Sequence, residues 1–452
     1  MGQNSVRISI LFLLICSLLL SKAKAADEDI SNARLLKEIK DLKETAEFQA
    51  AKIRELEKRL SAQEQRNIPA GSETIPACEL EARIDEHINK KIPTFQLLEG
   101  LDMGVSITGF LQSARNANAD TQLGPGEDVT DGSYSADIGF EKKFQDCATA
   151  YISLHSGDGA GLTDDLKLFS NVNADASDCD GNVFLNEAWY EYYLKSMPFT
   201  VTFGKLDPTY FIDSNEYAND ETSQFLADMF VNSCIIEFPA DNAAGVRLGF
   251  KPGGPFEIET VVLDGDADWE DIFDGIFLAG QINFKPHIFG RPGNYRLLAW
   301  RNNQPHTEWA DMSHDKDTGF GVGLSLDQEF TDLIGVFARY GWQNPDVYLP
   351  SESFSLRDSF SLGAQLKGSP WGRPDDVLGL AFGQIFPSKK YKSANDLQAK
   401  TESHFECYYN FKVNDHFSFS PDLQLIWRPY GKDAANGDGT IVVGGVRGQV
   451  DF

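Results

Sequence analysis

What the chain lacks narrows it first. Beyond the N-terminal 25 residues no apolar run approaches 18 residues, so bilayer-crossing helices are excluded. Basic residues are scarce: 40 Lys and Arg stand against 68 Asp and Glu, a formal net charge of −28. Such a chain repels phosphate backbones, which argues against a nucleic-acid partner. There is no G-x-S-x-G, no H-E-x-x-H and no paired C-x-x-C, and the histidines are scattered. Nothing brings a nucleophile to a base, so neither an enzyme nor a cofactor is expected. Cysteine is also sparse. One of the six, Cys16, sits within the apolar run Ile8–Leu20, where Ile15 is too bulky for a good lipidation site. That run, with Arg7 before it and Ala23-Lys24-Ala25 after it, predicts a cleaved export signal over residues 1–25. Of the five remaining cysteines (Cys78, Cys147, Cys179, Cys234 and Cys407), the best candidate pair is Cys179 with Cys234; the alternative is that all five are thiols.

What is present is alternation. Phe417, Phe419, Leu423, Leu425 and Trp427 share one face of a run whose other face carries Ser418, Ser420, Asp422, Gln424 and Arg428. The final residues repeat the pattern, with Val442, Val446, Val450 and Phe452 opposing Arg447, Gln449 and Asp451. Strands in soluble proteins average about 5–6 residues, whereas a tilted strand needs about 9–11 to cross hydrocarbon. These longer runs predict the closing hairpin of a transmembrane barrel. Interior runs behave alike: Val246, Leu248 and Phe250 against Arg247 and Lys251; Phe256, Ile258 and Val262 against Glu257 and Glu259; Ile334, Val336, Ala338, Tyr340 and Trp342 against Arg339 and Gln343.

Before these strands the organisation is helical. Leu35, Ile39, Leu42, Ala46, Gln49, Ile53, Leu56 and Leu60 recur in steps of four and three, the seam of a coiled coil about 50 Å long. One narrow apolar stripe is marginal in isolation, so identical partners are implied. The expected domains are the signal (1–25), a periplasmic coiled coil (26–66), a linker with a short helix (67–100) and the barrel (101–452). From Leu101 onward, short connections alternate with long ones, provided Asp207–Ala243 is a single loop. Sixteen strands with both termini on one side follow. Ser233–Phe238 would spoil that parity if it were a strand. The fold class is all-β: a sixteen-stranded antiparallel transmembrane β-barrel preceded by the coiled coil.

Several stretches together resemble one family: Gly204-Lys205-Leu206-Asp207 with Asn219-Asp220-Glu221-Thr222, Leu185-Asn186-Glu187-Ala188-Trp189-Tyr190, Pro374-Asp375-Asp376-Val377-Leu378-Gly379-Leu380, and the hairpin around Pro421-Asp422-Leu423-Gln424. From Leu101 to Phe452 the chain resembles the carbohydrate-selective porins (OprB-like). The resemblance implies a sixteen-stranded outer-membrane barrel in contact with lipid, passing sugars and other small hydrophilic solutes. It also implies a homotrimer and a C-terminal aromatic, here Phe452, that serves as an assembly signal. The long coiled coil departs from the family pattern and suggests a periplasmic or cell-wall partner.

The site expected from this reading is a constriction. Asp207–Ala243 carries eight acids and no Lys or Arg, with Tyr210, Phe211, Tyr217, Phe225, Phe230 and Phe238 among them. A loop so long in a compact domain is usually functional. Folded inward, it sets Asp213, Glu216, Asp220 and Glu221 opposite wall arginines Arg247, Arg339, Arg428 and Arg447; folded outward, it caps the mouth. Trp189, flanked by Glu187 and Glu191, is expected on the lumen face, where an indole could stack on a sugar ring. Two alternatives stand beside the sugar pore: a cation- or metal-ion-permeating pore, suggested by the acids, and a tether anchored by the barrel. No metal site is assigned: the acid-rich motifs are expected to form a solvated acidic rim, with weak calcium binding to an extracellular loop as the alternative. Asp264-Gly265-Asp266-Ala267-Asp268 has the alternating acids of a calcium loop but no glycine at the sixth position. Asp178-Cys179-Asp180-Gly181 has Ala176 in the first ligand place.

Overall fold

The computed structural model describes residues 100–452, apart from 120–125, 145–146, 177, 195–196, 273, 314–315 and 352–353. The signal, coiled-coil and linker expectations lie outside the described residues. Sixteen long strands form the wall: β1 (Leu101–Ala117), β2 (Glu127–Phe144), β3 (Ala148–Asp158), β4 (Val183–Leu194), β5 (Phe199–Leu206), β6 (Ala243–Phe250), β7 (Phe256–Asp264) and β8 (Ile276–Phe284) make the first half. The second half is β9 (Arg291–Glu308), β10 (Asp317–Glu329), β11 (Ile334–Gln343), β12 (Leu356–Gly368), β13 (Arg373–Pro387), β14 (Glu402–Lys412), β15 (Phe417–Trp427) and β16 (Ile441–Asp451). Two-residue pieces at His287–Ile288 and Val347–Tyr348 pair with the ends of β9 and add nothing to the wall.

Every neighbouring pair is antiparallel, and β1 closes on β16 with Ser106 opposite Asp451 and Arg115 opposite Val442. Phe452 completes the seam, its N–H donating to the Val105 carbonyl at 2.9 Å and its own carbonyl accepting from Val105 N–H at 3.2 Å. Closure leaves no edge strand, which is what hydrocarbon demands of backbone polar groups. The connections alternate short and long as expected. Ser233–Phe238 is not a strand but part of the third long loop, which keeps the parity even.

Alternation decides which face meets lipid. Ile107, Leu111, Phe203, Val246, Leu248, Leu278, Leu324, Tyr340, Leu362 and Leu423 are exposed, while Thr108, Gln112, Arg247, Gln281, Ser325, Arg339, Gln424 and Arg447 are buried. The apolar face is therefore the outer one, and the polar face is covered from within.

The lumen is less empty than a simple wide barrel suggests. Three apolar clusters lie under the long loops among the described residues, one of them joining Leu162, Leu166 and Val172 of the second loop to Ala114, Ile426 and Val443 of the wall, and two of them involving the third loop. Of the latter two, the first joins Phe225, Met229 and Phe230 of the third loop to Phe337, Ile385 and Tyr408 of the wall. The other joins Ile212 and Ile236 of the same loop to Val261, Leu263, Phe277, Leu298 and Trp300. Inward-facing apolar residues on β7–β9 are thus intelligible: a loop, not water, covers them. Full burial of such a side chain is worth about 1.5–3 kcal/mol. The cysteine expectation is corrected. Cys179 and Cys234 are not joined; Cys179 lies beside Gly157 near the end of β3, whereas Cys234 packs into the first apolar cluster.

Candidate functional site: the loop-lined lumen

The third long loop, residues 207–242, leaves the wall where Gly204 adopts φ +138, a conformation and a closeness to Ala188 on β4 that no side chain would tolerate. It then crosses the lumen. Asp213 forms an ion pair with Arg339 on β11 (3.1 Å), and its N–H donates to Gln281 on β8 (2.9 Å). Arg339 also donates to the carbonyls of Phe230 (2.7 Å) and Ala218 (2.6 Å). Further along, Gln365 on β12 donates to the Tyr217 carbonyl (2.8 Å). Arg447 on β16 donates to the carbonyls of Glu221 (2.6 Å) and Gln224 (3.0 Å). The loop is therefore held from both sides, by bonds to groups that are buried and cannot be replaced cheaply by water.

Shape matches chemistry. Inward-facing Gly335, Gly341 and Gly383 lie directly beneath Tyr217, Ile235 and Met229, and a Cβ at any of the three would collide with that side chain. The wall is recessed where the loop is bulky.

The wall also supplies acceptors that the sequence reading passed over. Glu406 on β14 takes the N–H groups of Leu226 (2.6 Å) and Ala227 (2.9 Å). Glu402, four residues earlier on the same face, takes those of Phe169 (3.1 Å) and Tyr430 (2.6 Å), from two other long loops. Their signal was the alternation Glu402-Ser403-His404-Phe405-Glu406, charged or polar on every inward position. The second long loop, 159–182, comes inward too: Asn173 donates to Gln112 (3.2 Å), Asp175 accepts from Ser135 (2.6 Å), and Ala174 N–H reaches the Leu226 carbonyl (2.8 Å).

Among the described residues, two recesses border the third loop. One, of about 460 Å³, is lined by Asp207, Tyr210, Asn219, Asp220, Glu221 and Asn232, with no cationic side chain among its lining residues. The other, of about 380 Å³, is lined by Tyr210, Glu191, Arg247, Lys251, Lys285 and Arg296 among others, and extends toward the short-turn end of the barrel. Tyr210 borders both and is 75% exposed. Tyr210 thus stands between a recess of carboxylates and one walled by both cations and carboxylates. Burial raises particular carboxyls of the inward loops: Glu221 is pushed up to about 8, with neighbouring acids adding to the effect. Asp175 and Asp228 are each pushed to about 7 by burial.

The remaining expected residues fall as follows. Glu191 accepts from Thr202 (2.9 Å) and pairs with Arg247 (3.2 Å). Arg247 takes its main partner from the wall itself, Glu259 at 2.6 Å, and stacks its guanidinium on Phe211 of the loop (4.9 Å); it meets no loop carboxylate. Trp189 is inward but committed: its N–H donates to Glu187 (3.0 Å) and its ring lies against Tyr151 (5.1 Å). The free aromatic surface belongs to Tyr210 instead. Glu216 docks through its backbone, its N–H directed at Asp327 (3.4 Å). Asp220 caps the turn after it, accepting from the N–H and hydroxyl of Thr222 (2.9 and 2.6 Å). Arg428 corrects the reading: it adopts φ 56, which breaks the strand's alternation. It donates to Ser403 (3.2 Å), the neighbour across the strands of the outward-facing Trp427. It is not opposite the loop.

Comparison with known proteins agrees with this architecture. The model of the carbohydrate-selective porin, OprB family matches residues 132–452. An uncharacterised protein of Aquifex aeolicus (strain VF5) is 29% identical over 223 residues, 49% of this chain; the chain spans 58% of that relative's length. A high-pH structure of Pseudomonas putida OprB superposes with a TM-score of 0.66 at 16% identity, covering 81% of this chain and 97% of that one. The outer membrane channel DcaP of Acinetobacter baumannii gives 0.50 at 14% identity, with 78% and 98% covered. At such identities the structures speak for the fold alone, while the family model spans most of the chain. A closed sixteen-stranded barrel, a lumen-crossing third loop and that match converge: this chain belongs to the carbohydrate-selective porin, OprB family.

Proposed function

We propose that the protein is an outer-membrane porin through which carbohydrates and other small hydrophilic solutes diffuse passively. One observation carries the reading: beside the inward third loop, Tyr210 borders two recesses, one offering acceptors and the other donors with acceptors. A neutral polyol must exchange many hydrogen bonds with water for others of similar strength, and its ring can slide over an aromatic face. Glu187, Glu191, Asp213, Glu216, Asp220, Glu221, Arg247, Arg339 and Arg447 line or brace the solute's passage in the proposal, and Trp189 supports it from the wall. Osmotic swelling of liposomes carrying the protein tests it. Monosaccharides should enter faster than trisaccharides of the same osmolarity; equal exclusion of all sugars would reject a sugar pathway.

A second reading has its own observation. The larger recess is lined by Asp207, Asp220 and Glu221 without a Lys or Arg, so cations would be favoured over anions in permeation. Reversal potentials in a salt gradient distinguish the two, and both hold if sugars pass and cations lead.

For the N-terminal residues we propose export by the 1–25 signal and a periplasmic coiled coil over 26–66, with Ile39 and Ile53 at a positions and Leu35, Leu42 and Leu56 at d. The barrel would then assemble as a trimer, joined below the membrane as well as within it. A Ser31–Arg66 peptide that stays monomeric or dimerises in sedimentation at high concentration would reject the trimeric coil.

A further inference from the structure

The connection between β7 and β8 plays no part in the passage. Its first residues bring three carboxylates together: one oxygen from each of Asp264, Asp266 and Asp268 lies within 4.8 Å of the others. Asp266 and Asp268 are exposed, but Asp264, the last residue of β7, is only 1% exposed. Its Oδ2 accepts from the N–H of Trp269 (3.3 Å). Its Oδ1 is buried and has no hydrogen-bond partner. The groups acting on that carboxyl are its own burial, the Trp269 N–H, and the acids Asp266 and Asp268; no cationic side chain is among them.

A buried carboxylate oxygen without a partner, on a side chain grouped with two further carboxylates whose donors are the backbone N–H groups of Trp269 and Glu270 and with no base among them, is unfavourable as it stands. A cation supplies what is missing. We propose that Asp264, Asp266 and Asp268 form a binding site for a hard divalent cation, with calcium preferred, at the long-loop end of β7. All the donors are oxygens, and three carboxylates on an irregular loop suit the loose coordination of calcium better than the strict octahedron of magnesium.

The spacing is that of the first, third and fifth ligands of a calcium loop, and the missing sixth-position glycine is less of an obstacle than it looks. Trp269 occupies that position and itself adopts φ 65, the left-handed turn a glycine would supply. The twelfth position is Gly275, so no bidentate glutamate closes the shell. Backbone carbonyls and water complete it, which places the site among weak extracellular modules, with a dissociation constant of about 10⁻⁴–10⁻³ M. Bound calcium would tie the start of the loop to the end of β7.

Terbium luminescence on the full-length, chelator-washed protein in detergent tests the site, because Trp269 follows the third ligand directly and is half-exposed. Tryptophan excitation should give saturable terbium emission that calcium displaces at several-fold lower concentration than magnesium. Asp266→Asn and Asp268→Asn, both at exposed positions, should each weaken binding several-fold while the barrel stays folded and its conductance unchanged. Trp269→Phe should abolish the emission but keep the heat of calcium binding in calorimetry. Emission unaltered in the Asp266→Asn/Asp268→Asn double variant, or calcium heat unaltered in it, would place binding elsewhere on this acidic chain and overturn the proposal.

Discussion

Two loops of this barrel have nearly the same chemistry and opposite fates. The third long loop has eight acids between Asp207 and Ala243 and no Lys or Arg; Asp264–Gly275 has six acids and likewise no base. The first crosses the lumen, whereas the acids that open the second gather at the barrel's lip. Acidity therefore does not decide where a loop goes. What differs is the supply of partners. The third loop has large apolar side chains and a wall that answers with Arg339, Arg447 and Glu406, and with glycine recesses beneath its bulk. Asp264 and Asp268 find only backbone N–H donors of their own loop, those of Trp269 and Glu270, and no wall cation.

The comparison can be broken by removing the third loop altogether. Deleting Tyr210–Phe230 should raise single-channel conductance several-fold and weaken size discrimination in liposome swelling. An unchanged conductance would mean that the loop does not set the passage. Next in size is Arg339→Ala, which strands Asp213 in a buried site. Losing one partner of a buried pair costs about 3–5 kcal/mol, and here the carbonyls of Phe230 and Ala218 lose their donor as well. The barrel should persist, since its ladder is untouched, but the loop should become cleavable by an added protease. A loop as resistant as in the parent protein would show that the ion pair is dispensable.

A smaller change fills a recess. Gly341→Leu meets Ile235, and such overpacking costs about 1–3 kcal/mol; noisier single-channel current is expected, and Gly444→Leu, where a side chain has open space, should leave the recordings quiet. The smallest effect is on selectivity. Burial raises Glu221 to about 8, so on going from pH 9 to pH 6 it gains a proton and the larger recess loses negative charge. The cation preference measured by reversal potential should fall over that interval, and Glu221→Gln should reduce the pH dependence, leaving the part that Asp175 and Asp228 contribute. The sign for stability follows from the same shift. A carboxyl raised on folding binds its proton more tightly in the folded state, so the loop's docking weakens as pH rises from about 4 through 8. Protease resistance of the loop should therefore be greater at pH 6 than at pH 9.

How much of this could be read beforehand depends on range. Strand number, parity and facing were legible, because period two and the rhythm of short and long connections are local and repeat along the chain. Arg339 and Arg447 were legible as inward residues for the same reason. Their partners were not: Asp213 is 126 residues from Arg339, and Glu221 is 226 from Arg447. Period two tells which face a residue occupies, never what lies across the lumen. Arg428 failed through a single left-handed residue at the strand's end. Trp189 failed differently: its face was right, but Tyr151 and Glu187 already occupy it. Glu402 and Glu406 were not legible as partners because an acidic loop points to cations, whereas the backbone N–H groups of the loops needed acceptors.

If hydroxyl-rich solutes pass beside Tyr210, as proposed, a single-channel recording shows it. A neutral disaccharide is added at increasing concentration to single channels of the parent protein and of Tyr210→Ala. The account predicts concentration-dependent interruptions of current in the parent that shorten markedly when the ring is removed. Interruptions of equal length in both channels, or none in the parent, would contradict it.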